Sequence, residues 1–569
     1  MNTVLTTLDG PRVAAFTEAG YWGGDTIYQL VARHAAHAPD KPAIREWSTV
    51  IGYARLVEAA DGLAAALHAG GLRAGDRVAV WLPSRAETAV AVLACSRNGY
   101  VACPSLHRDH TVGEVAELVH RMRAAGVVYQ PGYGADADRY DLLETLGATE
   151  DLQQMVRLPP AEGERLLFSD LAAGEAGPAR TDPNTVVYLA FTSGTTGQPK
   201  GVMHSDNTLL APVRAVVADW SLDGGSVVYS LSPLSHNLGF GAMLLALTLG
   251  AEFVLHDLPR GASLAARLRE TGATFAFGVP THAIDLLAEL RADGSGPGLP
   301  ALRGFRISGA AVPSSVAQGL LDIGVVPQSG YGMTEAGSHH YTLPTDDPEL
   351  IVGSSGRACA GYEVRIVSRE DPERALPAGE VGQVAARGAS LMLGYFNDQI
   401  ATEQSFSRSG WFLTGDLGWQ DENGYLRITG RKKDVIIRGG HNIFPAKIEN
   451  LALRSDDVAK AAVVPVADER LGEKVCLVVQ PYAGGTVEPD VLLAHLDAAG
   501  LSRYDMPEYF AQVAELPLLP SGKILKRRIL EWIDDGGLVP APVRFRPGAP
   551  APASSAASAA HREELPCAR

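Results

Sequence analysis

Residues 192–201 read Thr192-Ser193-Gly194-Thr195-Thr196-Gly197-Gln198-Pro199-Lys200-Gly201, directly after the apolar run Val186-Val187-Tyr188-Leu189-Ala190. Glycines let the backbone turn several N–H groups toward one anion, the hydroxyls add donors, and the lysine contributes a fixed positive charge. An apolar strand that feeds such a loop is the arrangement of a phosphate site, and the ligand it suits is a nucleoside triphosphate. A mobile surface turn would favour the same small residues but not the closing Pro199-Lys200-Gly201. The spacing matches neither a P-loop, which needs Gly-x-x-x-x-Gly-Lys-Ser/Thr, nor a Gly-x-Gly-x-x-Gly dinucleotide turn.

Working outward, helix and strand signals alternate. Thr26 is placed to cap a helix bearing Ile27, Leu30 and Val31 on one face, and Leu56, Ala60, Leu63 and Leu67 repeat the helical period before Gly70-Gly71. Val78, Val80 and Leu82 then alternate as a strand. This rhythm predicts an α/β fold of mostly parallel sheets covered by helices. With 569 residues the chain exceeds what one core serves, so two or three units are expected. The run Arg431-Lys432-Lys433-Asp434-Val435-Ile436-Ile437 is a charged joint between apolar strands. It sets a boundary between a large domain, 1–431, and a smaller α+β domain, 432–535. From 536 to 569 the composition turns to Pro, Ala, Ser and Gly, which predicts a disordered tail.

Composition narrows the function. A net charge of −16 argues against nucleic acid as a partner, because such contacts are made by basic surfaces. No apolar run reaches the roughly twenty residues of a membrane span, and the amino terminus lacks a signal-peptide pattern, so the protein is expected to stay in the cytoplasm. The five cysteines, Cys95, Cys103, Cys359, Cys476 and Cys567, show no C-x-x-C pairing and predict neither a zinc site nor a disulfide framework.

Together with four further motifs in the same order, the 192–201 loop resembles the phosphate signature of the adenylate-forming superfamily, which includes acyl-CoA synthetases and aryl-acid AMP ligases. The likeness runs from about residue 15 to 530. Tyr331-Gly332-Met333-Thr334-Glu335 is similar to the segment whose tyrosine stacks on adenine, whose threonine meets the α-phosphate and whose glutamate helps hold magnesium. Thr414-Gly415-Asp416 resembles the ribose-binding motif, with Arg431 as a second ribose contact. Ser308-Gly309-Ala310-Ala311 matches the small-residue turn against adenine. Leu516-Pro517-Leu518-Leu519-Pro520-Ser521-Gly522-Lys523 resembles the last motif, whose lysine stabilises charge as a carboxylate attacks the α-phosphorus. Lys433 falls at the family's hinge, and Gly439-Gly440 at the passage of a pantetheine arm.

The resemblance implies ATP and Mg2+ as cofactors and a small-molecule acid as substrate. Thr192, Ser193, Gly194, Thr195, Thr196 and Lys200 are assigned to the phosphates, and Thr334, Glu335, His236 and Lys523 to catalysis. The acceptor is a thiol, from coenzyme A or a phosphopantetheine carrier protein. Pro233-Leu234-Ser235-His236-Asn237 resembles the mouth of the acyl pocket, whose expected lining is His236, Asn237, Gly241, Phe277, Gly278, Ser329 and Gly330. Small residues with one aromatic ring suit a flat aryl or alicyclic acid. Leu238, where aryl-acid ligases often carry tyrosine, departs from that pattern. So do Lys447 and Asp505, at which the family usually has glutamate and a basic residue. Three other readings remain: transfer of the adenylate directly to an amine, activation of nitrite for diazotising an aryl amine, and a non-catalytic nucleotide-binding scaffold. Monomer and homodimer are both compatible with the sequence.

Overall fold

A computed structural model describes residues 5–147, 151–160, 175–192, 199–259, 261–292, 294, 298–310, 312–439, 441–519 and 523–545. The chain divides into two units. The first comprises residues 1–428 with 520–523, and the second 429–519 with 524–569. The division falls within the last strand of a sheet, Leu426–Arg431, a few residues before the 431/432 boundary expected from the charged joint.

Two large sheets organise the first unit. One has nine strands, in the order Arg357–Ala358, Gly337–Tyr341, Val326–Met333, Gly304–Ile307, Phe275–Gly278, Val227–Ser230, Glu252–Leu255, Pro42–Glu46 and Thr49–Gly52. Its interior pairings are parallel, while Gly337–Tyr341 and Thr49–Gly52 pair antiparallel. The second sheet runs Gln154–Arg157, Ala124–Tyr129, Arg77–Trp81, Val101–Cys103, Val186–Thr192 and Lys200–Ser205, parallel except for the last pair. Parallel strands covered on both faces are uniformly apolar, and Arg77–Trp81 is buried at every residue. Strands Tyr362–Val367, Gly382–Gly388, Phe412–Gln420 and Leu426–Arg431 form a smaller sheet.

The helical signals form as the pattern dictates. Thr26 caps helix Ile27–His37 through a capping box with Gln29, and Leu56, Ala60, Leu63 and Leu67 line the buried face of helix Tyr53–Ala69. That stripe joins one continuous core with helix Ala86–Asn98 and helix Asn237–Leu249.

The second unit carries its own core on a sheet ordered His441–Ile443, Ile436–Arg438, Gly472–Pro481, Tyr509–Gln512 and Ala541–Pro542, with Val458–Asp468 also paired to Gly472–Pro481. Its last strand corrects one expectation. Residues 536–569 were read as disordered, yet Ala541 pairs with Phe510, and the Val543 N–H donates to the Glu508 carbonyl at 2.9 Å. Composition missed this because an edge strand needs backbone pairing on one side only. The tail from 546 lies outside the described residues.

Candidate active site

The antiparallel register sets Thr192, the last residue of its strand, opposite Lys200, the first of the next. The expected phosphate residues between them, Ser193, Gly194, Thr195 and Thr196, lie outside the described residues. The Lys200 ammonium sits 4.8 Å from the centroid of the Tyr395 ring, and the Tyr395 hydroxyl donates to Glu335 Oε1 at 3.1 Å. Burial and the adjacent Glu335 push the Tyr395 phenol pKa up, so it remains a donor. One chain of contacts thus links the lysine of the phosphate motif to the carboxylate of another.

The backbone around Thr334 and Glu335 is clamped. His204 Nε2 donates to the Thr334 carbonyl at 2.7 Å, the Met392 N–H to the Glu335 carbonyl at 2.7 Å, and Ser390 Oγ to the Ala336 carbonyl at 2.6 Å. Burial lowers the His204 pKa to about 4, so the ring is a neutral donor at ordinary pH. His204 and Lys200 lie on one face of the same strand because side chains alternate with period two. That spacing was readable in the sequence, whereas nothing local marked Tyr395.

Tyr331 and Asp416 come together from different sheets. The tyrosine hydroxyl donates to Asp416 Oδ2 at 2.8 Å, and the Asp416 N–H donates to Thr414 Oγ1 at 3.1 Å. Asp416 is buried. Gly332 allows the close approach of the neighbouring strand, since a Cβ there would stand 2.2 Å from the Gly337 carbonyl oxygen. Gly309 takes φ +95°, in the left-handed region, just beyond strand Gly304–Ile307, and Ala310 follows it. Ala311 lies outside the described residues. Lys523 belongs with the first unit, and a Cβ added to Gly309 would lie 3.6 Å from its Cε.

On the acid side, His236 caps helix Asn237–Leu249, its Nδ1 accepting from the Leu238 N–H at 3.4 Å. Burial, then the charge of Lys523 and then His107, push its pKa down to about 3. A neutral ring whose Nδ1 accepts carries its proton on Nε2, so His236 offers an N–H and no charge. His107, 6.4 Å away between ring centroids, bonds Ser235 Oγ at 3.0 Å and was not found from sequence.

The three glycines expected to widen this site differ. Gly241, one turn into the helix, opens on space, with nothing within 4 Å of an added Cβ. Gly278 is a packing glycine, whose Cβ would meet Phe305 at 2.9 Å and His282 at 3.0 Å. A Cβ added to Gly330 would lie 3.4 Å from Arg306 Nη2. Phe277 is buried beside Gly278, and Ser329 is tied to its sheet by its N–H donating to Thr342 Oγ1 at 3.0 Å.

In the second unit, Arg431 ends its strand, Lys433 occupies the turn Lys432–Asp434, and Gly439 takes φ +57° in the tight link between strands Ile436–Arg438 and His441–Ile443. That left-handed φ favours a glycine at 439 on backbone grounds alone. Gly440 lies outside the described residues. The two unusual residues Lys447 and Asp505 prove to be one ion pair at 2.9 Å, with His441 Nε2 also 2.9 Å from Asp505. Where the resemblance implies glutamate opposite a basic residue, the polarity is reversed. Lys447→Glu is expected to cost about 1 kcal/mol by setting two carboxylates together, and Lys447→Glu with Asp505→Lys to recover most of it. Thermal melting of the three proteins checks this, and a double variant no more stable than the single one removes the pairing.

Known proteins share this architecture. Residues 31–396 match the AMP-binding enzyme family, and residues 447–523 the AMP-binding enzyme C-terminal domain. A medium-chain fatty-acid–CoA ligase of Escherichia coli is 33% identical over 92% of this chain and 93% of its own length. A salicylyl-CoA synthase/salicylate adenylyltransferase of a Streptomyces species is 31% identical over 92% and 97%. The crystal structure of ATP-bound MatB from Rhodopseudomonas palustris superposes with a TM-score of 0.78 at 28% identity, covering 89% of this chain and 99% of that one. The match over most of the length places the chain in the AMP-binding enzyme family, the ATP-dependent, AMP-forming acid–thiol ligases.

Proposed function

We propose that this ligase activates a ring-bearing carboxylic acid, aryl or alicyclic, to its acyl-AMP with release of pyrophosphate, and then passes the acyl group to the thiol of coenzyme A. The observation that carries the ring assignment is the helix start at His236 and Asn237, followed one turn later by Gly241, which leaves open space beside a neutral N–H donor and an amide. A flat substrate fits such an opening with little ordering of the protein.

In this reading Thr192 and Lys200, with Ser193, Gly194, Thr195 and Thr196, hold the β- and γ-phosphates. Tyr331 lies against adenine, with Gly309, Ala310, Ala311 and Gly332 forming the close wall. Asp416 and Arg431 take the ribose hydroxyls, and Thr334 meets the α-phosphate. Among the described residues no cluster of three metal-ligating side chains occurs. Mg2+ takes one or two protein carboxylates and completes its shell with phosphate oxygens and water. Glu335 would supply the carboxylate, oriented by Tyr395.

The acid's carboxylate attacks the α-phosphorus, and the bond to the pyrophosphate oxygen breaks as the new P–O bond forms. Lys523 neutralises charge building on the attacking and α-phosphate oxygens, while His236 donates a hydrogen bond without competing as a cation. The thiolate then adds to the acyl carbonyl and AMP leaves. Lys433 is proposed as the hinge between the two half-reactions, with the thiol approaching along Gly439-Gly440.

A pyrophosphate-release screen across aryl, alicyclic, fatty and amino acids, and nitrite plus an aryl amine, each with and without coenzyme A, tests the assignment. A ring acid is expected to lead, with thioester appearing only when coenzyme A is present. Preference for a long-chain acid removes the ring assignment, and turnover confined to nitrite removes the carboxylic acid. In the same assay Asn237→Ala is expected to cost about 1–3 kcal/mol on a hydroxylated or amino-substituted ring, and much less on the bare ring, because the polar substituent loses its buried partner.

A further inference from the structure

Arg306 stands in the middle of the nine-stranded sheet, 1% exposed, on the strand between those carrying Phe277 and Gln328. A guanidinium cannot shed its charge inside a protein, so one buried this deeply is ordinarily paired with a carboxylate. Among the described residues no carboxylate lies within ion-pair distance of it. Its Nη1 donates to Gln328 Oε1, and its Nη2 has no partner. Gln328, fully buried, spends its oxygen on that bond and leaves its own Nε2 without an acceptor.

Among the described residues, nothing else hydrogen-bonds the guanidinium. The guanidinium lies 5.9 Å from the Phe277 ring centroid and 5.2 Å from that of Tyr341, whose hydroxyl is turned away to Asp219 at 2.7 Å. His339, nearby, is held neutral by burial, by His340 and by the charge of Arg306 itself. Burial pushes the arginine's own pKa down to about 10, which leaves it charged at neutral pH.

The two N–H groups left over on these adjacent strands, Arg306 Nη2 and Gln328 Nε2, one of them cationic and neither with an acceptor, are complementary to an oxyanion. Groups left unpaired at this depth are costly and call for a partner, which a bound anion would supply. Their position says which anion. Gly330, on the strand beyond, has no side chain, and a Cβ there would already be 3.4 Å from Arg306 Nη2. Phe277 and Gly330 are both residues assigned to the acid pocket above.

We propose that Arg306 and Gln328 form an anion-recognition subsite in the acid pocket, so that the substrate carries a second carboxylate besides the one that is adenylated. This rests on the reading that Phe277 and Gly330 line that pocket. Arg306 offers a planar fork that matches a carboxylate edge, and Gln328 adds a neutral donor beside it. The aromatic rings on either side exclude water and strengthen the pairing.

The test pairs each of a panel of dicarboxylic acids, the three benzene dicarboxylates together with succinate, glutarate and adipate, with its own mono-amide, which keeps the shape and loses the charge. Pyrophosphate release and direct calorimetric binding are measured on the full chain and on Arg306→Met and Gln328→Leu. At least one diacid is expected to exceed its mono-amide by tenfold or more in kcat/KM, with Arg306→Met abolishing the difference and Gln328→Leu reducing it. Because Arg306→Met removes an unpaired buried charge while keeping the volume, its melting temperature is expected to hold or rise. If instead no diacid outperforms its mono-amide, or if Arg306→Met lowers turnover of both members of a pair equally and melts earlier, Arg306 is a hydrated structural cation and the subsite falls. Diacid binding that needs Arg306 but leads to no pyrophosphate release leaves the subsite standing and removes the acid-activation assignment.

Discussion

Lys523→Ala is expected to reduce acyl-AMP formation by about 10²- to 10³-fold, the usual consequence of losing one preplaced group that stabilises transition-state charge. Attack of a carboxylate on an α-phosphate brings negative oxygens together, and the ammonium acts only as that charge concentrates. Its loss therefore falls on kcat, with ATP binding little changed. The placement of Lys523 with the first unit, its charge felt by His236, and its Cε near Gly309 support this role. Single-turnover acyl-AMP formation and ATP titration separate the two effects. A variant that forms acyl-AMP at the parent rate removes Lys523 from the mechanism.

Asp416→Ala is expected to weaken ATP binding by about 10²-fold and to leave kcat at saturating ATP much closer to the parent. A carboxylate that accepts from both ribose hydroxyls makes two charge-assisted bonds, each contributing about 1.5–3 kcal/mol, present equally in ground and transition states. Tyr331→Phe probes the protein's own part in this, because it removes the 2.8 Å bond that orients the carboxylate. That variant is expected to lose well under tenfold in ATP affinity. Equal ATP affinity in Asp416→Ala and the parent would take the ribose away from this residue.

The motifs proposed for the nucleotide are readable in the sequence because the chemistry they offer is local. The loop after Ala190 needs glycines and hydroxyls next to each other, and Tyr331 to Glu335 sit within five residues, so linear spacing carries the information. The helices at Thr26 and Leu56 were equally legible, since capping and a 3.6-residue stripe are properties of short segments. The strand at Ala541 was not, because its partner is Tyr509–Gln512 and its own composition carries no strand pattern.

The acid pocket shows where local reading stops. Gly241, Gly278 and Gly330 look alike in sequence, yet one opens on space, one is filled by Phe305 and His282, and one faces a guanidinium. Lys447 and Asp505 looked like two independent departures until the fold set them 2.9 Å apart as one reversed pair. The sequence by itself determined the α/β class and the family, because helix faces, strand patterns and short motifs are specified within a few residues. Only the tertiary structure decided that Tyr395 links Lys200 to Glu335, that His204 holds the Thr334 backbone, and that Arg306 lies buried with no carboxylate beside it among the described residues. Each of those depends on segments distant in sequence lying side by side, and such placement is set by the packing of the whole unit rather than by any segment within it.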